Sequence, residues 1–261
     1  MEINITRDIV ELGKEAGKAA SETIQKAIAE KGYANVILAT GTSQFETLNQ
    51  LVSEKGIDWS KVVMFHLDEY IELPVTHIAS FRKYLKERFL EKVPSLKAVY
   101  LIDGEMNPEA ECVRLGELIN QHPIDVALVG IGENGHLAFN DPPADFNTEK
   151  PYLIVELDEL CRKQQLAEGW FTSLEEIPAR AISMSIHQIM KSKNIICSVP
   201  DQRKALAVKN CLEHLPTEKY PASILQLHPN CKFYFDKFSA TLLSEQIRVK
   251  AGNKDFSFID K

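Results

Sequence analysis

Short apolar runs rich in strand-forming residues alternate along this chain with stretches that carry apolar residues at helical spacing. That alternation limits the fold more than any other feature. Asn35–Ala39 (NVILA), Val62–His66, Ala98–Ile102, Ile124–Val129, Ala181–Met184, Asn194–Val199 and Lys232–Phe235 read as strands. Helices are predicted over residues 7–31, near Gln44–Glu54, over Ala79–Leu90 and Pro108–Gln121, and from Asp201 to about Leu212. In the first of these, Ile9, Leu12, Ala16, Ala20, Ile24, Ala27 and Ile28 form one apolar face. Strands apolar on both faces and separated by helices indicate an α/β fold, a mainly parallel sheet covered by helices on each side. No repeat or Pro/Gly/Ser linker divides the chain, so a single domain over 1–261 is expected. The least regular stretch is Pro142–Thr172, extending to about residue 176, which reads either as a lid over a site or as a surface excursion.

Composition narrows the function classes. A net charge of -7 with no basic block gives no reason to expect nucleic acid, and an anionic substrate would have to be captured by a few placed cations. No run of about 18 apolar residues is present, so no membrane span is expected. Met1–Gly17 is charged, reads as helical and lacks the apolar core of a signal peptide. Five cysteines (Cys112, Cys161, Cys197, Cys211, Cys231) are scattered without a CxxC pair, which fits reduced thiols in a cytoplasmic protein. The seven histidines are dispersed with no HxH or HExxH spacing, so neither a metal site nor any other cofactor is expected.

In a parallel α/β sheet ligands sit beyond the carboxyl ends of the strands, and three post-strand loops are chemically unusual. Thr40-Gly41-Thr42-Ser43 offers hydroxyls, a glycine and a helix start, a combination that suits a phosphate but equally suits a capped turn. His66-Leu67-Asp68-Glu69-Tyr70 sets two adjacent carboxylates at a strand end, where general bases are held. Only one of the pair need face a pocket. Gly130 to Asp141 (GIGENGHLAFND) has glycines at 130, 132 and 135, then His136 and, five residues on, Asp141. Histidine moves protons near neutral pH, and a carboxylate can fix its tautomer.

Taken together these loops resemble the glucosamine-6-phosphate deaminase family, in the wider group that includes 6-phosphogluconolactonase. The resemblance rests on LATGTS (Leu38–Ser43), FHLDEY (Phe65–Tyr70) with Leu73-Pro74, HIASF (His77–Phe81) and GIGENGHLAFNDP (Gly130–Pro142). RKAL (Arg203–Leu206) and PASILQLHP (Pro221–Pro229) follow in the family's order. It implies a Rossmann-like three-layer sandwich and conversion of glucosamine 6-phosphate, or a close amino-sugar phosphate, to a ketose phosphate and ammonia. Carried over by position, Asp68 matches the enolisation base and His136 the ring-opening histidine, with Asn134 and Asp141 as further ring-opening groups. Gly41, Thr42 and Ser43 match the phosphate loop, Lys204 the phosphate lysine and Arg162 the phosphate arginine. The implied partner is a small amino-sugar phosphate, and a homo-oligomer is among the assemblies the family shows.

Several positions depart from that pattern. Asn134 stands where many members have Asp, and it is expected to meet the imidazole and leave His136 with a lower pKa. Asp141 stands for the longer Glu, His66 for Asn, and only Lys150 remains of the basic residues near 147–150 that serve an effector site in some members. Two rival readings follow, a lactonase on the same fold and a sugar-phosphate sensor without turnover. Lactonases of this type usually continue Gly-His with Thr-Ala-Ser, whereas Leu137-Ala138-Phe139 follows His136 here. Sequence does not separate glucosamine from galactosamine 6-phosphate.

Overall fold

The computed structural model describes residues 1–250. In chain order the elements are β1 (Glu2–Thr6), α1 (Ile9–Lys31), β2 (Ala34–Leu38), α2 (Phe45–Ser53), β3 (Val62–His66), β4 (Asp68–Tyr70), α3 (Phe81–Leu85) and β5 (Ala98–Tyr100). They continue with α4 (Pro108–Asn120), β6 (Val126–Val129), β7 (Tyr152–Glu156), α5 (Glu159–Ala167), β8 (Arg180–Met184), α6 (Ile186–Met190), β9 (Asn194–Val199), α7 (Ala205–Glu213), β10 (Cys231–Asp236) and α8 (Glu245–Lys250). A seven-stranded sheet runs β1-β10-β9-β6-β2-β3-β5, with every pairing parallel. Among the described residues no helix is long and apolar enough to cross a membrane.

Alternation along the strands explains the three layers. Val36 and Leu38 of β2 join α1 and α2 side chains (Leu12, Ile24, Leu48, Leu51) on one face, while Ile37 joins α4 and α7 side chains (Leu115, Ile119, Val208, Leu212) on the other. Successive residues of a strand point to opposite faces, so both faces must be apolar when both are covered. Helix α1 starts at Asp8, whose side chain accepts the Glu11 N–H, and ends at Gly32 with φ 83°.

Two sequence expectations are corrected. Met1–Gly17 is not helical throughout: Glu2–Thr6 is an edge strand paired with β10, because Ile3 and Ile5 alternate onto the core face. Ala181–Met184 does not join the parallel sheet. It lies in β8 of a separate antiparallel sheet, β4-β8-β7, whose strand β4 begins at Asp68 directly opposite Ser183. The stretch 142–176, irregular by sequence, contains β7 and α5.

Close packing of α1 on α2 fixes where the first loop sits. A Cβ at Gly13 would stand 2.2 Å from Glu46 Cβ and 2.5 Å from the Glu46 carbonyl carbon. Gly13→Ala should therefore push α2 away and destabilise the fold by roughly 1–3 kcal/mol, the range of overpacking. A urea midpoint unchanged from wild type would contradict this packing.

Candidate active site

Four neighbouring strands, β9, β6, β2 and β3, send their carboxyl ends into one cleft of about 530 Å³, partly open to solvent. Strand β2 has β3 on one side and β6 on the other, so the chain reverses its direction of strand addition there. Open α/β sheets bind ligands at such reversals. Asp68, His136, Gly41, Thr42, Ser43 and Lys204 all line this cleft.

The adjacent carboxylates at the end of β3 take different tasks. Glu69 is fully buried and accepts the N–H groups of Tyr70, Phe81 and Arg82 and the Ser80 hydroxyl at 2.7–3.1 Å. It caps the start of α3, and Arg82 stands 3.4 Å away. Asp68 is 6% exposed and has no hydrogen-bond or ion-pair partner among the described residues. Burial, with the Glu69 charge beside it, pushes its carboxyl up to about 8. A carboxylate with raised proton affinity and free lone pairs facing a cleft is suited to take a proton from carbon-bound substrate positions. His66, two residues before it, is held neutral: burial and the Arg82 charge pull it down to about 3.

The loop after β6 wraps His136. Its imidazole lies flat against Gly132, where an added Cβ would come within 2.1–2.3 Å of three ring atoms. Nδ1 is buried 3.2 Å from Asp141 Oδ1, near but not aligned for a hydrogen bond. Nε2 is the ring nitrogen left for the cleft. Asp141 is fixed in turn by Asn134 Nδ2 at 2.9 Å and by the Asp158 N–H at 3.1 Å. Burial pushes the Asp141 carboxyl up, but His136, Asn134 and that N–H outweigh it and hold it below the usual range. The expected contact between Asn134 and the imidazole is not made. Asn134 Oδ1 instead accepts the His136 backbone N–H at 3.0 Å, and Asp141 meets the ring despite its shorter side chain. Asn134 and Asp141 thus stand behind the imidazole and not on the cleft wall.

At the other end of the cleft, Gly41 adopts φ 88° and is followed by a 3-10 turn, Thr42–Gln44, that runs into α2. The turn is pinned from behind. Tyr84 OH donates to the Gly41 carbonyl at 3.0 Å, and buried Gln44 Nε2 lies 3.3 Å from the Val129 and Ser198 carbonyls. A second helix start, Gln202–Lys204 leading into α7, reaches the same cleft. Lys204 is 4% exposed and has no ion pair among the described residues. Burial lowers its ammonium pKa, and Glu168 and Glu133 partly restore it. Two helix starts and an unpaired lysine at one end of the cleft suit an anion. Arg162 is not part of it: its guanidinium faces the carbonyls of Leu174 and Ile177 and lines no wall of the cleft.

Sequence reasoning missed the wall formed by α5. Gln164, Gln165 and Glu168 line the cleft, with Glu168 held by Gln164 Nε2 at 2.9 Å and Trp170 Nε1 at 3.2 Å. In sequence the stretch stands out for its irregularity and for Arg162, and its other polar residues carry no motif. His136, Asp141 and Cys161 offer possible ligand atoms within 4.8 Å of one another. They are 25 residues apart from first to last, so no short spacing pattern reveals them.

A family model described as glucosamine-6-phosphate isomerases/6-phosphogluconolactonase matches residues 7–233. A glucosamine-6-phosphate deaminase of Bacillus cytotoxicus is 35% identical over 240 residues, covering 92% of this chain and 89% of the relative. One from Bacillus cereus is 34% identical over the same length. The solved structure of a monomeric glucosamine-6-phosphate deaminase superposes with TM-score 0.84 at 29% identity, covering 93% of this chain and 100% of that one. A 6-phosphogluconolactonase-like protein of Neisseria gonorrhoeae, with TM-score 0.71 at 20% identity over 90% of this chain and 99% of that one, shares the fold. The chain belongs to the family of glucosamine-6-phosphate isomerases and 6-phosphogluconolactonases.

Proposed function

We propose that this chain isomerises and deaminates glucosamine 6-phosphate, or a close 2-amino-hexose 6-phosphate, to fructose 6-phosphate and ammonia. One observation carries the reading: a partnerless, proton-hungry carboxylate, Asp68, shares a single cleft with His136 and with the anion-binding end formed by Gly41–Ser43 and Lys204. His136 Nε2 exchanges the proton between the ring oxygen and the anomeric hydroxyl as the pyranose opens, with Asp141 beside Nδ1 and Asn134 holding Asp141 and the His136 N–H. Asp68 then takes the proton from C2 and returns it to C1. The C2 enamine becomes an imine, water adds to that carbon, and ammonia leaves. No outside oxidant or reductant is needed, because the aldehyde carbon is reduced as C2 is oxidised. Every group in this scheme comes from one chain, and we read α5 and the rest of 142–176 as the cover of a single-domain site. Five free thiols support a cytoplasmic setting.

Deaminase relatives at 34–35% identity support this reading over the lactonase, whose representative shares only the fold. Ammonia release measured across 2-amino-hexose 6-phosphates tests it. Hydrolysis of 6-phosphogluconolactone with no ammonia from any amino sugar would reverse the assignment. Lys204→Met tests the phosphate end. Loss of a charge-assisted hydrogen bond, about 1.5–3 kcal/mol, should raise KM roughly 10- to 100-fold while kcat changes less. An unchanged KM would remove Lys204 from the site.

A further inference from the structure

We propose that His136, Asp141 and Cys161 form an inhibitory site for a thiophilic divalent cation such as Zn²⁺. Ligand atoms of these residues lie within 4.8 Å of one another. Zinc bonds nitrogen at about 2.0–2.1 Å and sulfur at about 2.3 Å, so a shift of about 1 Å in one side chain closes the set. The buried Nδ1 of His136 has no aligned hydrogen-bond partner, and an ion bound there would displace the Nδ1 proton to solvent.

Charge around the trio points the same way. Asp141 and Asp158 are bridged by one neutral amide, Asn134 Nδ2, at 2.9 and 3.0 Å. Neither carboxylate has a Lys or Arg ion pair among the described residues; their charge is met by N–H donors and His136 alone. Asp141 also lines a second cleft of about 820 Å³, distinct from the sugar-phosphate cleft, together with Asp145, Glu156 and Asp158; His136 and Cys161 do not line it. Its acidic walls draw cations, as does the net charge of -7. The sulfur sets the selectivity: thiolate ligands favour zinc over magnesium, which prefers all-oxygen octahedra. Cys161 is buried as the neutral thiol at the start of α5, and binding releases its proton to solvent.

A bound ion would occupy Nδ1 and take the Asp141 carboxylate that holds the imidazole, and would raise the barrier to charging that ring. The loss of turnover rests on the deaminase reading; the binding does not, so the two arms of the test fail separately. Chelator-treated protein is titrated with Co²⁺, whose thiolate charge-transfer absorption reports sulfur ligation. The expected result is a saturable band in wild type, lost or shifted at least tenfold in midpoint in Cys161→Ser. Cys161→Ala serves if the serine variant does not fold. Absence of the band in wild type, or an equal band in both variants, would overturn the site. In the activity arm Zn²⁺ should abolish ammonia release with the same midpoint, magnesium should not, and Cys161→Ser should keep basal turnover and be at least tenfold less sensitive. Zinc binding with full turnover would overturn the inhibitory role.

Discussion

Asp68→Asn should lower turnover by roughly 10²–10⁴-fold, the contribution of one general base, while leaving the affinity for a sugar phosphate nearly unchanged. The amide keeps the size of the side chain but removes the site that accepts the proton. The same substitution should make the protein more stable. The Asp68 carboxyl is raised in the folded state from 3.8 to about 8, so the folded chain holds this proton more tightly than the unfolded chain does. For such a group stability is fully present below about pH 4, falls as pH rises, and has been lost once pH passes about 8. The variant carries no such loss. Its advantage over wild type should be near zero at pH 4 and grow to a few kcal/mol by pH 8. Urea denaturation of both proteins across that range reads it directly. A pH-independent difference would mean that Asp68 is not held in its protonated form, and unchanged turnover would end its role as base. In wild type, the acid limb of kcat/KM should fall near pH 8 for the same reason.

Such opposite effects on stability and turnover show why the site was legible where it was. The motifs that sequence could read are those in which backbone and chemistry coincide: the strand end before Asp68, the glycines around His136, the hydroxyl turn at 41–43. Each is a contiguous stretch, so order along the chain is also order in space. The parallel sheet was legible for a related reason, since Val36, Ile37 and Leu38 have to be apolar on both faces. What escaped was set by contacts between distant segments. Edge strand β1 is only five residues long and ran into helix α1 in the pattern. Residues Gln164, Gln165 and Glu168 reach the cleft only because β7 and β8 pair and bring α5 over it. Arg162 sits on that same helix but turns toward Leu174 and Ile177, a choice of helix face that position in a sequence cannot supply. Asn134 shows a subtler limit. Its neighbourhood was right and its partner was not, because the loop folds its oxygen back onto the His136 N–H.

The glycine beneath the imidazole gives the second large effect. Gly132→Ala adds a single methyl, yet its carbon would sit 2.1 Å from His136 Cε1 and 2.2 Å from Nε2, far inside contact distance. The ring cannot give way without leaving Asp141, and the backbone is tied by the Gly132 N–H to the His136 carbonyl at 3.0 Å. We therefore expect the imidazole to swing out of its place, and misplacement by about an ångström lowers kcat on the order of 10²-fold. The phosphate end is built on other loops, Gly41–Ser43 and Lys204, so competitive inhibition by inorganic phosphate should be retained. Loss of kcat with phosphate affinity kept separates displacement of His136 from general unfolding, which would remove both. If Gly132→Ala turned over like wild type, the imidazole in its place against Gly132 would not be the group that opens the sugar ring.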